Sequence, residues 1–309
     1  MKYVQRDGEV EITGVSDFDP EKTFECGQCF RWNADESGAY TGVAFGRAAT
    51  VRYKASDSDG SSDTDSLSCG SDGGNSGGGS DGDNSGGGSI FISGTIEDFE
   101  SVWRCYFDLD LDYTEIRRGL CVDAFMRKAS DYGAGIRILR QDSWEALCSF
   151  IISQCNNIPR IKKIISSLCG IFGDKIVFRG REYYTFPSAE RLSMCSEEDL
   201  APLRCGYRAE YIIAASKAVS GGILDLQALA QGAPNDARAA LKSIRGVGSK
   251  VADCAVLYGL HMLDSFPLDV WIKRAVAEHY GPGFDPVVFH PYAGIAQQYM
   301  YYYIRKKSE

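Results

Sequence analysis

Near Thr95 the hydrophobic periodicity of this chain changes, and that change restricts the possible folds more than any other feature. Before it, apolar and polar residues alternate in Tyr40-Thr41-Gly42-Val43-Ala44-Phe45 and from Ala48 to Tyr53, and the alternation resumes in Ser89-Ile90-Phe91-Ile92-Ser93. A period of two belongs to strands with one buried face, so these segments predict a small antiparallel sheet. After it, apolar residues recur every three or four positions in 96–107, 143–152, 160–172, 209–219, 236–244, 249–260, 270–279 and 291–305, punctuated by Gly and Pro. The expected architecture is α+β: an N-terminal sheet domain over 1–115, then an all-helical domain over 116–309. With 309 residues, 44% of them hydrophobic, the chain is long enough to bury a core in each.

Residues 55–89 contain eleven glycines, eleven serines and seven aspartates, with no lysine or arginine. So little apolar surface cannot offset the entropy of ordering, and the stretch is expected to be a flexible insertion joining two neighbouring strands. Those aspartates carry most of the net charge of −9, and the rest of the chain sums to −2. Net acidity therefore does not exclude a nucleic-acid partner, because phosphate binding depends on local positive patches.

No run of about 18 apolar residues occurs, and the start, Met1-Lys2-Tyr3-Val4-Gln5-Arg6-Asp7, lacks the apolar stretch of a signal peptide. A soluble intracellular protein without membrane contact is expected. Eleven cysteines at irregular spacing read as reduced thiols, most of them small core residues. Cys26-Gly27-Gln28-Cys29 has no second closely spaced ligand pair, and the histidines are His261, His279 and His290, so no zinc site is expected.

The stretch from Leu241 to Ala255 ends one helix, turns through Gly246 and Gly248, and starts another. Both glycines can take positive φ and turn backbone N–H groups outward beside a helix start, where an anion is favoured. Such a hairpin, expected over 236–260, can grip a backbone phosphate without reading sequence. Taken alone, the same Gly-x-Gly also suits an ordinary turn between helices.

Lys250 stands in the first turn of the second helix, where the positive end of the dipole disfavours an ammonium. A neutral amine is what attack on a sugar C1′ requires, and lysine can form a Schiff base there. Asp269 follows Phe266-Pro267-Leu268 and precedes the helix from Val270, which makes it an N-cap. A carboxylate fixed at that point can also stabilise the positive charge that develops as a glycosidic bond breaks, or assist proton transfer. Cys254 lies one turn beyond Lys250 on the same helical face.

Together these residues resemble the helix-hairpin-helix glycosylase superfamily, and within it the 8-oxoguanine DNA glycosylase/lyases, over nearly the whole chain outside the insertion. The resemblance implies a TBP-like N-terminal sheet domain followed by a helical glycosylase domain. It implies excision of 8-oxoguanine by base flipping, with Lys250 as nucleophile and Asp269 as the catalytic carboxylate. The segment Glu25-Cys26-Gly27-Gln28-Cys29-Phe30-Arg31-Trp32 is similar to the family's Gly-Gln-x-Phe-Arg-Trp element. Gly27 then takes the place of the glycine whose carbonyl accepts the N7 hydrogen that 8-oxoguanine has and guanine lacks. Gln297 falls where the family has a glutamine for the base edge, Tyr301 where a phenylalanine stacks on the base, and Cys254 where a cysteine covers its other face.

On the DNA side, Ser153-Gln154-Cys155-Asn156-Asn157-Ile158-Pro159-Arg160 resembles the segment that enters the duplex at the vacated site. Cys205-Gly206-Tyr207-Arg208-Ala209 resembles the family's Gly-Tyr-Arg wedge. The implied DNA contacts are Asn156, Asn157, Tyr207, the hairpin Gly246 and Gly248, Trp271, and two arginines, Arg160 and Arg208, on the estranged base. Guanidinium groups only donate, which suits O2 and N3 of an unpaired cytosine, so cytosine is expected opposite the lesion. There are two departures. Cys155 replaces the first of three consecutive asparagines, and Trp271 replaces a phosphate-contacting histidine, leaving only its indole N–H to donate.

No cysteine follows Cys254, so the four-cysteine iron–sulfur cluster of related glycosylases is not expected, and the chemistry calls for no cofactor or metal. The expected partner is double-stranded DNA containing 8-oxoguanine, met by a monomer in the cytoplasm (nucleoid) of a bacterium or the nucleus of a eukaryote. The alternatives are a noncatalytic helix-hairpin-helix DNA-binding protein, marked by loss of the lysine or aspartate, and a glycosylase for another damaged purine, which typically lacks the hairpin lysine.

Overall fold

The structure, a computed structural model, describes residues 1–54 and 88–308. The expected insertion at 55–89 falls almost wholly outside the described residues. Strands β1 (Lys2–Arg6), β2 (Glu9–Thr13), β3 (Asn33–Ala34), β4 (Tyr40–Ala44), β5 (Arg47–Lys54) and β6 (Ser89–Ser93) form one antiparallel sheet in the order β1-β2-β6-β5-β4-β3. Ser89 stands in register with Lys54, so it belongs to the ladder and not to the insertion. Alternation buries Val10, Ile12, Ala49, Val51, Ile90 and Ile92 on one face. Across the ladder Val10 opposes Ile92, and Ile12 opposes Ile90.

That face is closed by aromatic rings. Phe24, on the helix Pro20–Glu25, stacks on Trp32 with centroids 4.4 Å apart, and Trp103 meets Trp32 edge-on at 6.0 Å. The helix expected over 96–107 is interrupted by a π turn, Phe99–Trp103, between the α-helical pieces Ile96–Asp98 and Arg104–Tyr106. Phe99, Trp103, Tyr106 and Phe107 all enter the sheet core.

Apart from Cys26 and Phe30, the second core is built from Tyr113 onward. Helices Tyr113–Leu120 and Ala124–Tyr132, capped by Asp112 and Asp123, were not anticipated from the sequence, although Tyr113, Ile116 and Leu120 stand at helical spacing; each is only eight or nine residues long. The division expected at 115/116 cuts through the first of them, although its Tyr113, Ile116 and Leu120 pack together in the helical core. Helix Ser143–Ser153 is buried from Ala146 to Ile152 and forms the centre. Helices Ile158–Phe172, Arg208–Ser220 and Ser249–Cys254 pack on it. The helix expected over 249–260 is α-helical only to Cys254 and continues as a π turn over Ala255–Gly259. Close packing governs its end: a Cβ on Gly259 would lie 3.0 Å from that of Ala146, and Ser143 Oγ donates to the Gly259 carbonyl at 2.9 Å.

The chain from Cys26 to Trp32 runs along the seam. Cys26 and Phe30 belong to the helical core, Cys29 and Trp32 to the sheet core. Among the described residues, no helix is long and apolar enough to cross a membrane.

Candidate active site

The hairpin's two glycines differ in conformation. After helix Pro234–Lys242, Gly246 has φ +83°, and a Cβ there would lie 2.1 Å from Tyr211 Cγ, so both the backbone and the neighbour demand glycine. Gly248 does not take the positive φ allowed from sequence. It is extended (φ −84°, ψ 177°), N-caps helix Ser249–Cys254, and a Cβ there would meet nothing within 4 Å. No side chain caps this helix, which leaves its first N–H groups to an outside acceptor. Arg238 pairs with the nearly buried Asp253 and ties the two hairpin helices together.

Lys250 lines a cleft of about 540 Å³ that also takes in Gly27, Asn156, Gly248, Asp269, Trp271 and Tyr301. Residues far apart in sequence thus meet on one surface. Ser153 Oγ donates to the Phe150 carbonyl at 2.8 Å and lies 3.4 Å from Lys250 Nζ as an acceptor, while the Phe150 ring centroid is 5.3 Å from the same amine. Asp269 N-caps helix Val270–His279, accepting from the Ile272 N–H at 2.8 Å. Burial pushes its carboxyl above the usual aspartate range, against the opposing pull of that N–H bond and of Lys250. Cys254 is buried behind Lys250, and burial pushes its thiol up to about 11 even with the lysine beside it, so it is a neutral thiol.

Gly27 has φ +81°, and a Cβ there would come within 3.5 Å of Tyr301 Oη and 3.7 Å of Ile158 Cδ1. Trp271 carries the Arg274 guanidinium 5.2 Å from its ring. Gln297 is not on the cleft wall. It is 3% exposed, and its Oε1 lies 3.4 Å from the Tyr258 hydroxyl. The final helix, Ala293–Ser308, is buried on all sides from 293 to 300, so spacing alone could not say which of its residues faces the cleft.

The segment after helix Ser143–Ser153 leaves Cys155 exposed at φ +48°. Asn156 donates to the Ile152 carbonyl at 3.2 Å, and Asn157 caps helix Ile158–Phe172 by accepting from the Arg160 N–H at 3.0 Å. Tyr207 is 50% exposed and meets Tyr211 edge-on at 5.5 Å. The two arginines expected to act together are unlike. Arg160 is exposed and makes one 3.3 Å bond to the Arg204 carbonyl. Arg208 is 4% exposed and donates to the carbonyls of Gln154, Cys155 and Cys205. A turn that ends a buried helix strands carbonyls that need donors, and Arg208 supplies them.

Ser153 and Phe150 escaped the sequence reading as neighbours of Lys250, although their spacing of three at the end of an apolar helix puts them on one face. Among the described residues, no three side chains able to ligate a metal come together. Burial pushes the Cys26 thiol up to about 12 and that of Cys29 well above its ordinary value.

Residues 12–147 match the family "8-oxoguanine DNA glycosylase, N-terminal domain", and residues 148–286 match the family "HhH-GPD superfamily base excision DNA repair protein". The fold is similar to that of MBOgg1 solved in complex with a low-affinity DNA ligand, at 40% identity and a TM-score of 0.84 over 100% of both chains. It is also similar to the 8-oxoguanine glycosylase/lyase of Clostridium acetobutylicum in complex with double-stranded DNA containing cytosine opposite 8-oxoguanine. There the identity is 32% and the TM-score 0.84, over 100% of this chain and 99% of that one. The N-glycosylase/DNA lyase of Saccharomyces cerevisiae is 38% identical over 187 residues, 57% of this chain and 50% of that protein. The chain spans about half the length of the curated relatives it matches.

Proposed function

The chain belongs to the 8-oxoguanine DNA glycosylase/lyases of the HhH-GPD superfamily, and from that premise we propose that it excises 8-oxoguanine from duplex DNA and then cleaves the strand. The observation that carries the proposal is the meeting of Lys250 and Asp269 on the cleft that also holds Gly27 and Tyr301.

A base flipped into this cleft brings its C1′ to the Lys250 amine. As the Nζ–C1′ bond forms, the glycosidic C–N bond breaks, its electron pair leaves with the base, and the base takes up a proton. Asp269, held by its helix N–H, offers a fixed negative charge to the cationic sugar and an acceptor for the amine proton. Opening of the sugar ring gives a Schiff base on Lys250, and loss of a C2′ proton then expels the 3′ phosphate. The Gly27 carbonyl accepts N7–H of 8-oxoguanine and repels the N7 lone pair of guanine. Tyr301 stacks on the base, with Cys254 behind the lysine, and Gln297, buried off the cleft wall, takes the base edge only by turning away from Tyr258.

On the duplex, Tyr207 serves as the exposed wedge, Asn156 and Asn157 flank the gap, and the hairpin at Gly246 and Gly248, with Trp271, holds backbone phosphate. Arg160 is the exposed donor for cytosine opposite the lesion, and Arg208 joins it only by releasing its carbonyl partners. One chain supplies every residue of this assignment, so a monomer suffices, acting in whichever compartment holds the DNA.

Borohydride trapping on duplexes carrying 8-oxoguanine opposite cytosine, an abasic site, or an alkylated purine tests the reading. Adducts are expected with the first two and not with the third. Trapping on the alkylated purine in place of 8-oxoguanine would change the substrate, and no adduct on any duplex would overturn the lyase assignment.

A further inference from the structure

A glycine is the residue least able to hold its own carbonyl in place, because without a Cβ both its torsions are loose. Gly27 has φ +81°, and no bond among the described residues ends on its carbonyl. Its direction must therefore be imposed by its neighbours.

The Cys26 carbonyl belongs to the peptide plane preceding Gly27 and accepts from Nε2 of Gln298 at 3.0 Å. Gln298 is 1% exposed, and its Oε1 takes a hydrogen bond from the hydroxyl of Tyr258, itself 5% exposed. The phenol orients the amide: once Oε1 accepts from Tyr258, the NH₂ group is left facing Cys26. Burial holds the Tyr258 phenol well above the ordinary tyrosine range, so it remains a donor.

On the other side of Gly27, Gln28 is fully buried. Its Nε2 donates to the carbonyls of Thr23 at 2.9 Å and Arg137 at 2.7 Å, its Oε1 accepts from Leu139 N–H at 2.9 Å, and its own carbonyl accepts from Gln141 Nε2 at 2.8 Å. Of the two peptide planes of the glycine, the preceding one is held directly by Gln298, and the following one, which carries the Gly27 carbonyl, is anchored at its far end by the buried Gln28 side chain.

We propose that Gln298, oriented by Tyr258, is a positioning residue that fixes the Gly27 carbonyl and thereby sets the discrimination between 8-oxoguanine and guanine. This rests on the reading of Gly27 as the acceptor for N7–H. A carbonyl free to swing neither rewards N7–H nor penalises the N7 lone pair, so releasing the Cys26–Gly27 plane lowers the ratio between the two bases without touching the amine that performs the chemistry. Gln297, next in the chain, contacts the same hydroxyl only at 3.4 Å, and no bond from it to Cys26 is present among the described residues.

The test compares wild type, Gln298→Met and Tyr258→Phe in duplex binding and single-turnover excision with 8-oxoguanine or guanine, and in strand cleavage at a preformed abasic site. Both variants are expected to lose at least about tenfold in 8-oxoguanine over guanine discrimination while abasic-site cleavage stays within about threefold of wild type. Gln298→Glu adds a readout that a purely packing role would not move. Only its protonated carboxyl can donate to Cys26, so its discrimination should recover as pH falls, while that of wild type does not follow the same course. Unchanged discrimination in Tyr258→Phe and Gln298→Met overturns the inference, as does a parallel loss of abasic-site cleavage, which would mark a structural role. A wild type that fails to discriminate the two bases overturns the underlying reading of Gly27 instead.

Discussion

The two sides of the cleft are built by different means. The side that carries Lys250 and Asp269 comes from two helix starts twenty-one residues apart in the chain, each placed by local backbone geometry: an uncapped start at Gly248 and a start capped by Asp269. The side that carries Gly27, Asn156 and Tyr301 gathers segments from across the chain, held by buried side chains that bond to backbone carbonyls, Arg208 and Gln298 above all. Local geometry makes the first side tolerant of isosteric change at its reactive groups. Long-range clamps make the second sensitive to residues that never touch a ligand.

The sharpest break between the sides should come from Lys250→Gln, which is expected to remove the borohydride adduct and slow excision by at least about a thousandfold. Lesion binding and melting temperature should be nearly unchanged, because Lys250 donates to one hydroxyl, at 3.4 Å. A surviving adduct would move the nucleophile elsewhere.

Asp269→Asn should follow with a loss of roughly a hundredfold or more in excision. Asparagine is as good an N-cap as aspartate, so the helix start keeps its bond. The raised carboxyl sets two signs. Ionising Asp269 costs more in the folded protein than in the unfolded chain, so its penalty on stability is absent in acid and grows as pH rises through its raised value. The variant should therefore melt no lower than wild type at pH 7. Wild-type excision should fall with decreasing pH at a point above that of an ordinary aspartate. A variant that melts well below wild type would make Asp269 chiefly structural.

On the opposite side the two arginines should part company. Arg208→Ala strands several carbonyls and should cost more than about 2 kcal/mol in urea unfolding, slowing excision opposite every base. Arg160→Ala should leave stability within about 0.5 kcal/mol and lower the preference for cytosine over adenine about tenfold in single-turnover excision. The same shift in base preference from both variants, with stability kept, would place both guanidinium groups on the DNA.

The smallest contrast lies within the hairpin. Gly246→Ala meets Tyr211 and a positive φ and should destabilise by more than about 1 kcal/mol, whereas Gly248→Ala should cost less than that, since its backbone is extended and the space beside it is open. Equal costs would contradict the different conformations of the two turn residues.

Period-two and period-three-to-four patterns were enough to identify strands β4, β5 and β6 and most long helices, because in those segments one face is dry and the other wet, whereas β1, β2 and β3 were not anticipated. The short helix Tyr113–Leu120 carried its buried Tyr113, Ile116 and Leu120 at helical spacing but was too brief to stand out as a run, and the π turns at Phe99 and Ala255 left no trace, since one extra residue per turn barely alters spacing. The amino acid order also marked out Lys250 and Asp269, because a lysine beside hairpin glycines and an aspartate before an apolar helix owe their positions to their immediate neighbours. Whether Arg208 is a free cation or a buried clamp, and which glutamine of Gln297 and Gln298 holds Cys26, was decided only in three dimensions. Burial and hydrogen-bond partners at those positions depend on segments tens to hundreds of residues away, and a single chain's local pattern carries no record of which distant carbonyl will need a donor.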